Sequence, residues 1–229
     1  MLLSRMLARA LGTPTPTAAR RFRTLVLLAA MESSYLAPLV RALRRQTVPE
    51  AESRPEAHGG GRYDDLERGE EARYAVVAGY LRRLGRDGRA AVLDVGCGPG
   101  ILQPYLAAHG YGRYLGVDFV QYNLARARSR ADERTDFALA DAAVYRPPGT
   151  YDLIIFNEML YFIDDPVACV RRYMRHLEPG GLVVVSSTVG YATMDLIRML
   201  RARLPVIDEN LVVNRAGLGW VIQAIREDG

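Results

Sequence analysis

The chain has 229 residues, enough for one well-cored domain with an appendage and too few for two ordinary catalytic domains. Two cysteines, Cys97 and Cys169, cannot form a disulfide framework, which argues against a disulfide-rich secreted scaffold. Only three histidines occur, and none lies at metal-ligand spacing from a cysteine or an acid, so we expect no metal site.

The net charge of +4 is divided unevenly along the chain. Residues 1–46 carry eight arginines against one acid, whereas residues 47–229 carry 22 arginines against 25 acids. Such a basic arm could contact nucleic acid, an anionic membrane or a partner protein. Every basic residue is an arginine, however, so a coding bias explains the arm better than a binding role does, and we expect no nucleic-acid partner.

Apolar residues of the arm recur at three- and four-residue steps, which predicts a pair of amphipathic helices bent near Pro38. The apolar run at 25–31 is too short to span a bilayer, so we expect no transmembrane segment and a cytoplasmic location. These helices could form a lid or a homodimer contact. The apolar positions are Phe22, Leu25, Leu28 and Ala29, then Tyr35, Leu36, Leu39, Val40 and Leu43.

Residues 47–61 combine proline, glutamate and three consecutive glycines, which predicts a mobile linker. The chain therefore divides into a helical arm and linker over 1–61 and a main domain over 62–229. A helix is predicted from Asp64 to Leu84, ended by Gly85 and Gly88. Its predicted buried positions are Leu66, Tyr74, Val77, Tyr80, Leu81 and Leu84.

From Ala90 onward, short apolar runs of the β type alternate with helical stretches, which predicts an α/β fold with a doubly wound, mostly parallel sheet. The runs lie at 91–95, 114–117, 135–139, 153–157 and 182–186, and helices begin near Leu102, Gln121 and Pro166. After a helix at 192–204, two further runs at 211–214 and 220–225 flank Gly217 and Gly219. They predict an antiparallel hairpin at one edge of the sheet.

The sequence VLDVGCGPG, from Val92 to Gly100, is a strand that runs into a glycine turn and opens a helix. Glycines let the backbone turn tightly and let a ligand approach it, and the helix start favours an anionic group. The spacing G-x-G-x-G differs from the G-x-G-x-x-G of dinucleotide-binding turns, where the third position would fall on Ile101. A nicotinamide dinucleotide is therefore disfavoured.

VLDVGCGPG resembles the first motif of the class I S-adenosylmethionine-dependent methyltransferases, and the motifs that follow resemble theirs in order and spacing over roughly Tyr63 to Arg226. The later motifs are YLGVDF, LADAA, YDLIIFNEMLYFIDDP and LEPGGLVVVSS. The resemblance implies a Rossmann-like methyltransferase fold that binds S-adenosylmethionine. The residues implied to bind it are Asp94, Gly96, Cys97, Gly98, Gly100, Ile101, Asp118, Phe119, Asp141, Ala142 and Asn157.

The resemblance also implies a role for each acid. Asp94 would help to hold the amino group of the methionine moiety, Asp118 would accept hydrogen bonds from the ribose hydroxyls, and Asp141 would lie near the adenine amine. Phe119 and the Ala142 backbone would lie against the adenine ring. Two structural alternatives remain open: Asp118 could cap the helix after the second strand, and Asp141 could be a turn residue.

The loop after the fourth strand supplies the candidate catalytic residues, because sites on doubly wound sheets lie at the carboxyl ends of the strands. Glu158 is the candidate for binding a substrate ammonium or accepting a proton, and Tyr161 for orienting the acceptor. Their alternatives are a surface acid and a core aromatic. Asp165 before Pro166 predicts a helix start rather than a metal ligand, and Cys97 is expected to pack rather than to react.

The sequence thus predicts a methyltransferase acting on an N, O or C atom of a small molecule. FNEML lacks the paired prolines of the enzymes that methylate amino groups of DNA bases. Alternatives on the same scaffold are a protein that binds S-adenosylmethionine without methylating, as an assembly partner or a cyclase, and an RNA methyltransferase that uses the basic arm.

Overall fold

The computed structural model describes residues 16–32, 69–190 and 193–227. The predicted linker at 47–61, the predicted second arm helix and the domain boundary at 61 lie outside the described residues. Described helices are α1 (Pro16–Glu32), α2 (Glu71–Arg83), α3 (Leu102–Ala107), α4 (Gln121–Arg128), α5 (Pro166–Met174) and α6 (Met194–Arg203), with a 3-10 turn over Leu160–Phe162. Strands are β1 (Ala91–Val95), β2 (Arg113–Asp118), β3 (Thr135–Leu139), β4 (Tyr151–Asn157), β5 (Leu177–Thr188), β6 (Val206–Val213) and β7 (Gly219–Ile225).

The seven strands form one sheet in the order β3-β2-β1-β4-β5-β7-β6. Strands β1 to β5 pair in parallel, whereas β7 is antiparallel to both β5 and β6. The predicted doubly wound sheet with an antiparallel hairpin at one edge is confirmed. Its β6 strand begins at Val206, five residues earlier than predicted.

Hydrophobic side chains cover both faces of the sheet, as its near-continuous apolar strands require. On one face, Val92 and Ile155 lie in a buried cluster with residues of α2 and α3. On the other face, Leu93 and Phe156 lie in a cluster with residues of α5 and α6. The chain reverses its strand order between β1 and β4, so a crevice opens at the carboxyl ends of these two strands.

Helix α2 contributes a stripe of side chains to the first of these clusters. The predicted buried positions Tyr74, Val77, Tyr80 and Leu81 are buried, and Leu84 packs against the cluster while partly exposed. The described helix begins at Glu71, and the predicted start at Asp64 and the predicted buried position Leu66 lie outside the described residues.

Helix α1 packs on the β6–β7 turn through a face different from the one that its apolar spacing predicts. Leu27 is buried, and the Thr24 hydroxyl donates a hydrogen bond of 2.8 Å to the Gly217 carbonyl. Phe22 and Leu25 are 57% and 61% exposed, so the predicted apolar face is wrong for these two residues. The helix face that carries Thr24 lies against the turn, because the Gly217 carbonyl in the turn needs a hydrogen-bond donor.

None of the described helices is both long and apolar enough to cross a lipid bilayer.

Gly116 in β2 is required by close packing and not by its backbone angles. A Cβ atom at this position would lie 2.6 Å from Cδ1 of Phe137 and 2.9 Å from Sγ of Cys97. We predict that Gly116→Ala lowers the free energy of unfolding by about 1 to 3 kcal/mol, because the core must shift to accept the methyl group.

Urea denaturation measures this change. Gly79→Ala in α2 is the matched control, since nothing lies within 4 Å of its added Cβ. The control should stabilise the protein by about 0.5 to 1 kcal/mol through helix propensity. Equal effects of the two substitutions would contradict the packing argument.

Candidate active site

The glycine turn after β1 is tied to the end of β2 by backbone hydrogen bonds. The amides of Gly96 and Cys97 both donate to the Val117 carbonyl, at 2.7 and 3.0 Å. Gly96 has a φ of +74°, and a Cβ there would lie 2.9 Å from the Met159 side chain. A glycine is therefore needed for the loop after β4 to close on the turn.

The rest of the turn contacts β2 and α4. The Gly98 amide donates to the Asp118 carboxylate at 2.9 Å. Gly100 has a φ of +74°, and a Cβ there would lie 3.1 Å from Cβ of Ala127 in α4. Ile101 follows as a buried residue at the start of α3. The turn is thus held in one shape by its neighbours.

Asp118 combines two structural tasks at the end of β2. One carboxylate oxygen accepts from Gly98, and the other accepts from the Val120 amide at 2.8 Å and from the Asn123 amide at 3.4 Å. Asp118 thus lies beside the start of α4, but α4 has Val120 as its N-cap and no side-chain capping hydrogen bond, so the capping alternative is not observed. A carboxylate has about four acceptor positions, so Asp118 retains capacity for a ligand. Phe119 beside it is 63% exposed.

Asp94 lies at the end of β1 and is 1% exposed. Its Oδ2 accepts a hydrogen bond of 2.8 Å from the Tyr114 hydroxyl, whereas Oδ1 is buried without a partner. Burial raises the pKa of Asp94 to about 7, although the Tyr114 hydrogen bond acts in the opposite direction. An unpartnered buried carboxylate oxygen fits a cationic ligand such as an ammonium group.

The loop after β3 is anchored from α5. The Ala142 carbonyl accepts hydrogen bonds from the Tyr173 hydroxyl at 3.1 Å and from Nη2 of Arg172 at 2.7 Å. Exposed Asp141 accepts from the Ala143 amide at 2.8 Å, so the turn alternative for Asp141 is also observed. Leu139 is exposed and pairs in register with Asp118, which brings an apolar side chain to the same strand ends.

Glu158 stands in a strained left-handed conformation, with a φ of +60°. Its two carboxylate oxygens accept from the Ser186 hydroxyl at 3.0 Å and from the Thr188 amide at 3.1 Å. Burial raises the pKa of Glu158 to about 7, against the attraction of Arg73. Glu158 is therefore half-buried and held by two hydrogen bonds, and it is not a freely solvated surface acid.

Arg73 is a site residue that the sequence analysis missed. It is 2% exposed and donates hydrogen bonds to the carboxylate of Glu70 and to the side-chain oxygen of Asn157. Its guanidinium lies 4.3 Å from the centre of the Tyr74 ring, and its Nε is buried without a hydrogen-bond partner. In the sequence, Arg73 falls on the apolar stripe of α2, four residues before Val77. This position was the signal that could have indicated that its side chain is buried.

Tyr161 lies on the 3-10 turn that follows Glu158, and its ring centre is 4.6 Å from that of Phe162. Both side chains are exposed, so the alternative of a core aromatic is wrong for Tyr161. The pair offers an apolar surface near the loop that carries Glu158.

Two further expectations concern Cys97 and Asp165, which are not candidates for catalysis. Cys97 is buried, and burial raises the pKa of its thiol, which fits packing rather than nucleophilic attack. Asp165 caps α5 by accepting from the Ala168 amide at 3.0 Å, as predicted. Within the described ranges, no group of three or more His, Cys, Asp or Glu side chains could hold a metal ion.

A family model described as a methyltransferase domain matches residues 69–223. Trans-aconitate 2-methyltransferase of Methylobacterium radiotolerans is 33% identical over 154 residues, which cover 65% of this chain and 59% of the relative. The ubiquinone biosynthesis O-methyltransferase of Leptothrix cholodnii is 34% identical over 102 residues, covering 42% and 43%. The chain therefore spans about half the length of these relatives.

Among solved structures, the N-methyltransferase NodS from Bradyrhizobium japonicum in complex with S-adenosyl-L-homocysteine aligns with a TM-score of 0.56 and 20% identity. The alignment covers 83% of this chain and 98% of NodS. At this identity the likeness concerns the fold alone.

The raised pKa of Asp94 predicts a pH-dependent stability. Between about pH 4 and pH 7 the native state keeps a proton that the unfolded chain has lost, so this contribution to stability falls as the pH rises. Asp94→Asn removes the titration. The free energy of unfolding of the variant, relative to the wild type, should therefore rise by up to about 1.4 kcal/mol per pH unit.

Urea denaturation between pH 5 and pH 8, without added ligand, measures this difference. The exposed Asp136→Asn, which removes a carboxylate from the surface, is the matched control. A difference between Asp94→Asn and the wild type that is constant over this range would contradict the assignment.

Proposed function

Because the chain belongs to the class I S-adenosylmethionine-dependent methyltransferases, we propose that it transfers a methyl group from this cofactor to an N, O or C atom of a small-molecule acceptor. One observation carries the proposal: the unpartnered buried oxygen of Asp94 lies beside a glycine turn whose shape is fixed by β2. Such a site offers a carboxylate oxygen to a positively charged group, beside a glycine backbone that a ligand can approach closely.

The proposed cofactor contacts follow the ends of the strands. The glycine turn contacts the cofactor through its backbone. Its residues are Gly96, Cys97, Gly98, Gly100 and Ile101. Asp94 and the Asn157 backbone hold the methionine ammonium, and Arg73 supplies the cation that the carboxylate of that moiety needs. Asp118 accepts from the ribose. Phe119, Asp141 and Ala142 surround the adenine, with apolar Phe119 against the ring.

The cofactor supplies a methyl group already activated by a sulfonium. The chain mainly has to align the acceptor and exclude water. Glu158 lies at the end of β4, and a carboxyl group whose pKa is about 7 accepts a proton from a hydroxyl or ammonium acceptor near neutral pH. The exposed Tyr161 and Phe162 would orient the acceptor beside it.

Release of S-adenosylhomocysteine tests the reaction. Purified protein is mixed with methyl-labelled cofactor and with a panel of small carboxylic acids, phenols, amines and structured RNA. Label in a small molecule supports the proposal. Cofactor binding without release would favour the non-methylating alternatives, and label in RNA would favour the alternative that uses the basic arm.

We propose in addition that α1 contributes to a homodimer contact. Phe22, Leu25 and Val26 lie at three- and four-residue steps and are exposed together on its outer side. Sedimentation of a protein with Phe22→Ser and Leu25→Ser should show a shift toward the monomer. A wild-type protein that is monomeric at micromolar concentration removes the proposal.

Replacing Asp118 should weaken cofactor binding. Asp118→Asn keeps the size of the side chain but loses the charged acceptor shared by Gly98, Val120 and the ribose. The dissociation constant for S-adenosylhomocysteine, measured by titration calorimetry, should rise by roughly 10- to 100-fold. The exposed Asp164→Asn serves as the control. An unchanged dissociation constant for Asp118→Asn would show that Asp118 does not bind the cofactor.

Replacing Glu158 should change the pH dependence of turnover. If deprotonated Glu158 is the base, kcat of the wild type rises with pH below about 7 and then levels off. Glu158→Gln should lower kcat by roughly 10²- to 10⁴-fold and flatten this profile. Exposed Glu133→Gln is the control. A profile of the same shape in Glu158→Gln would show that another group titrates.

A further inference from the structure

A surface cavity of about 280 Å³ lies along the outer side of α5, away from the glycine turn. Four arginines line it: Arg171 and Arg172 of α5, Arg175 directly after α5, and Arg203 at the end of α6. Its one acidic lining residue is Asp165. A cavity of this size lies at the lower end of the range for small-molecule sites.

The positive charge of this cavity is not balanced by the protein. Asp165 uses a carboxylate oxygen to cap α5, and within the described part of the chain none of the four arginines forms an ion pair with a carboxylate. Arginines elsewhere on the surface do form such pairs, as Arg83 with Asp208 and Arg201 with Glu209. Like charges one turn apart on a helix destabilise it, so an anion in the cavity would relieve this repulsion.

Arg172 connects the cavity to the loop after β3. Its Nη2 donates to the Ala142 carbonyl at 2.7 Å, and its guanidinium lies 5.3 Å from the centre of the Tyr173 ring. Its Nε is buried and has no hydrogen-bond partner. Arg172 therefore ties a lining residue of the cavity to the loop after β3.

We propose that the α5 cavity binds a small polyanion bearing phosphate or carboxylate groups, and that this binding strengthens cofactor binding through Arg172. The anion accepts hydrogen bonds from Arg171, Arg175 and Arg203 and attracts the guanidinium of Arg172, which holds that side chain in place. Nη2 of Arg172 stays on Ala142, so the anion fixes the loop that faces the adenine. Anion binding is independent of the proposed function, whereas the coupling rests on it.

Pyrophosphate is the probe, added at constant ionic strength to the full chain without cofactor. Binding should saturate and raise Tm by about 3 to 6 °C at ten times the dissociation constant. The double variant Arg175→Gln/Arg203→Gln should lose this effect. Arg82→Gln/Arg89→Gln removes the same charge from exposed positions and should keep it. A rise that does not saturate, or that both double variants lose equally, overturns the site.

The coupling is measured as the dissociation constant of S-adenosylhomocysteine with and without saturating pyrophosphate. The wild type should bind about two- to tenfold more tightly with the anion present, and Arg172→Gln should show no such gain. Saturable pyrophosphate binding without a gain, or with weaker cofactor binding, overturns the coupling. Absence of S-adenosylhomocysteine binding in any condition would instead refute the proposed function, while the thermal shift would still report on the anion site.

Discussion

The hydrogen bond between the Gly98 amide and the Asp118 carboxylate joins the two elements on which the candidate site depends. It holds the glycine turn of β1 against the end of β2, while the other carboxylate oxygen holds the start of α4. A carboxylate whose two oxygens are both held by backbone amides is already oriented before a ligand arrives. Preorganisation of this kind lowers the cost of binding, because less conformational freedom is lost on association.

Buried charge is the second constraint on this site. Asp94, Glu70 and Arg73 are buried and Glu158 is half-buried. These three acids and one arginine lie at the carboxyl ends of β1 and β4 or at the start of α2. Burial raises the pKa of Asp94 and of Glu158 toward neutrality. These charged groups therefore lower the stability of the folded protein unless a cationic ligand or a proton binds to them. Such an arrangement is typical of functional sites.

The order of strands and helices was predictable from the sequence because each parallel strand is apolar and each crossover begins at a recognisable position such as Gln121 or Pro166. The sequence equally predicted that Asp94 and Asp118 lie at the ends of strands. Arg73 was not, because a long cationic side chain is ordinarily solvated, and its burial depends on Glu70, Asn157 and Tyr74, which come together only in the folded chain. The face of α1 was mispredicted for a similar reason: apolar residues surround the helix, and the β6–β7 turn decides which of them is covered.

The central claim is that the carboxylate of Asp94 receives the ammonium group of the cofactor. Titration calorimetry of S-adenosylhomocysteine at pH 7, repeated in buffers with different ionisation enthalpies, tests it most directly. A carboxyl group whose pKa is about 7 must lose its proton when an ammonium binds, so the account predicts saturable binding with net proton release that disappears in Asp94→Asn. Binding without proton release, or no binding at all, would contradict it.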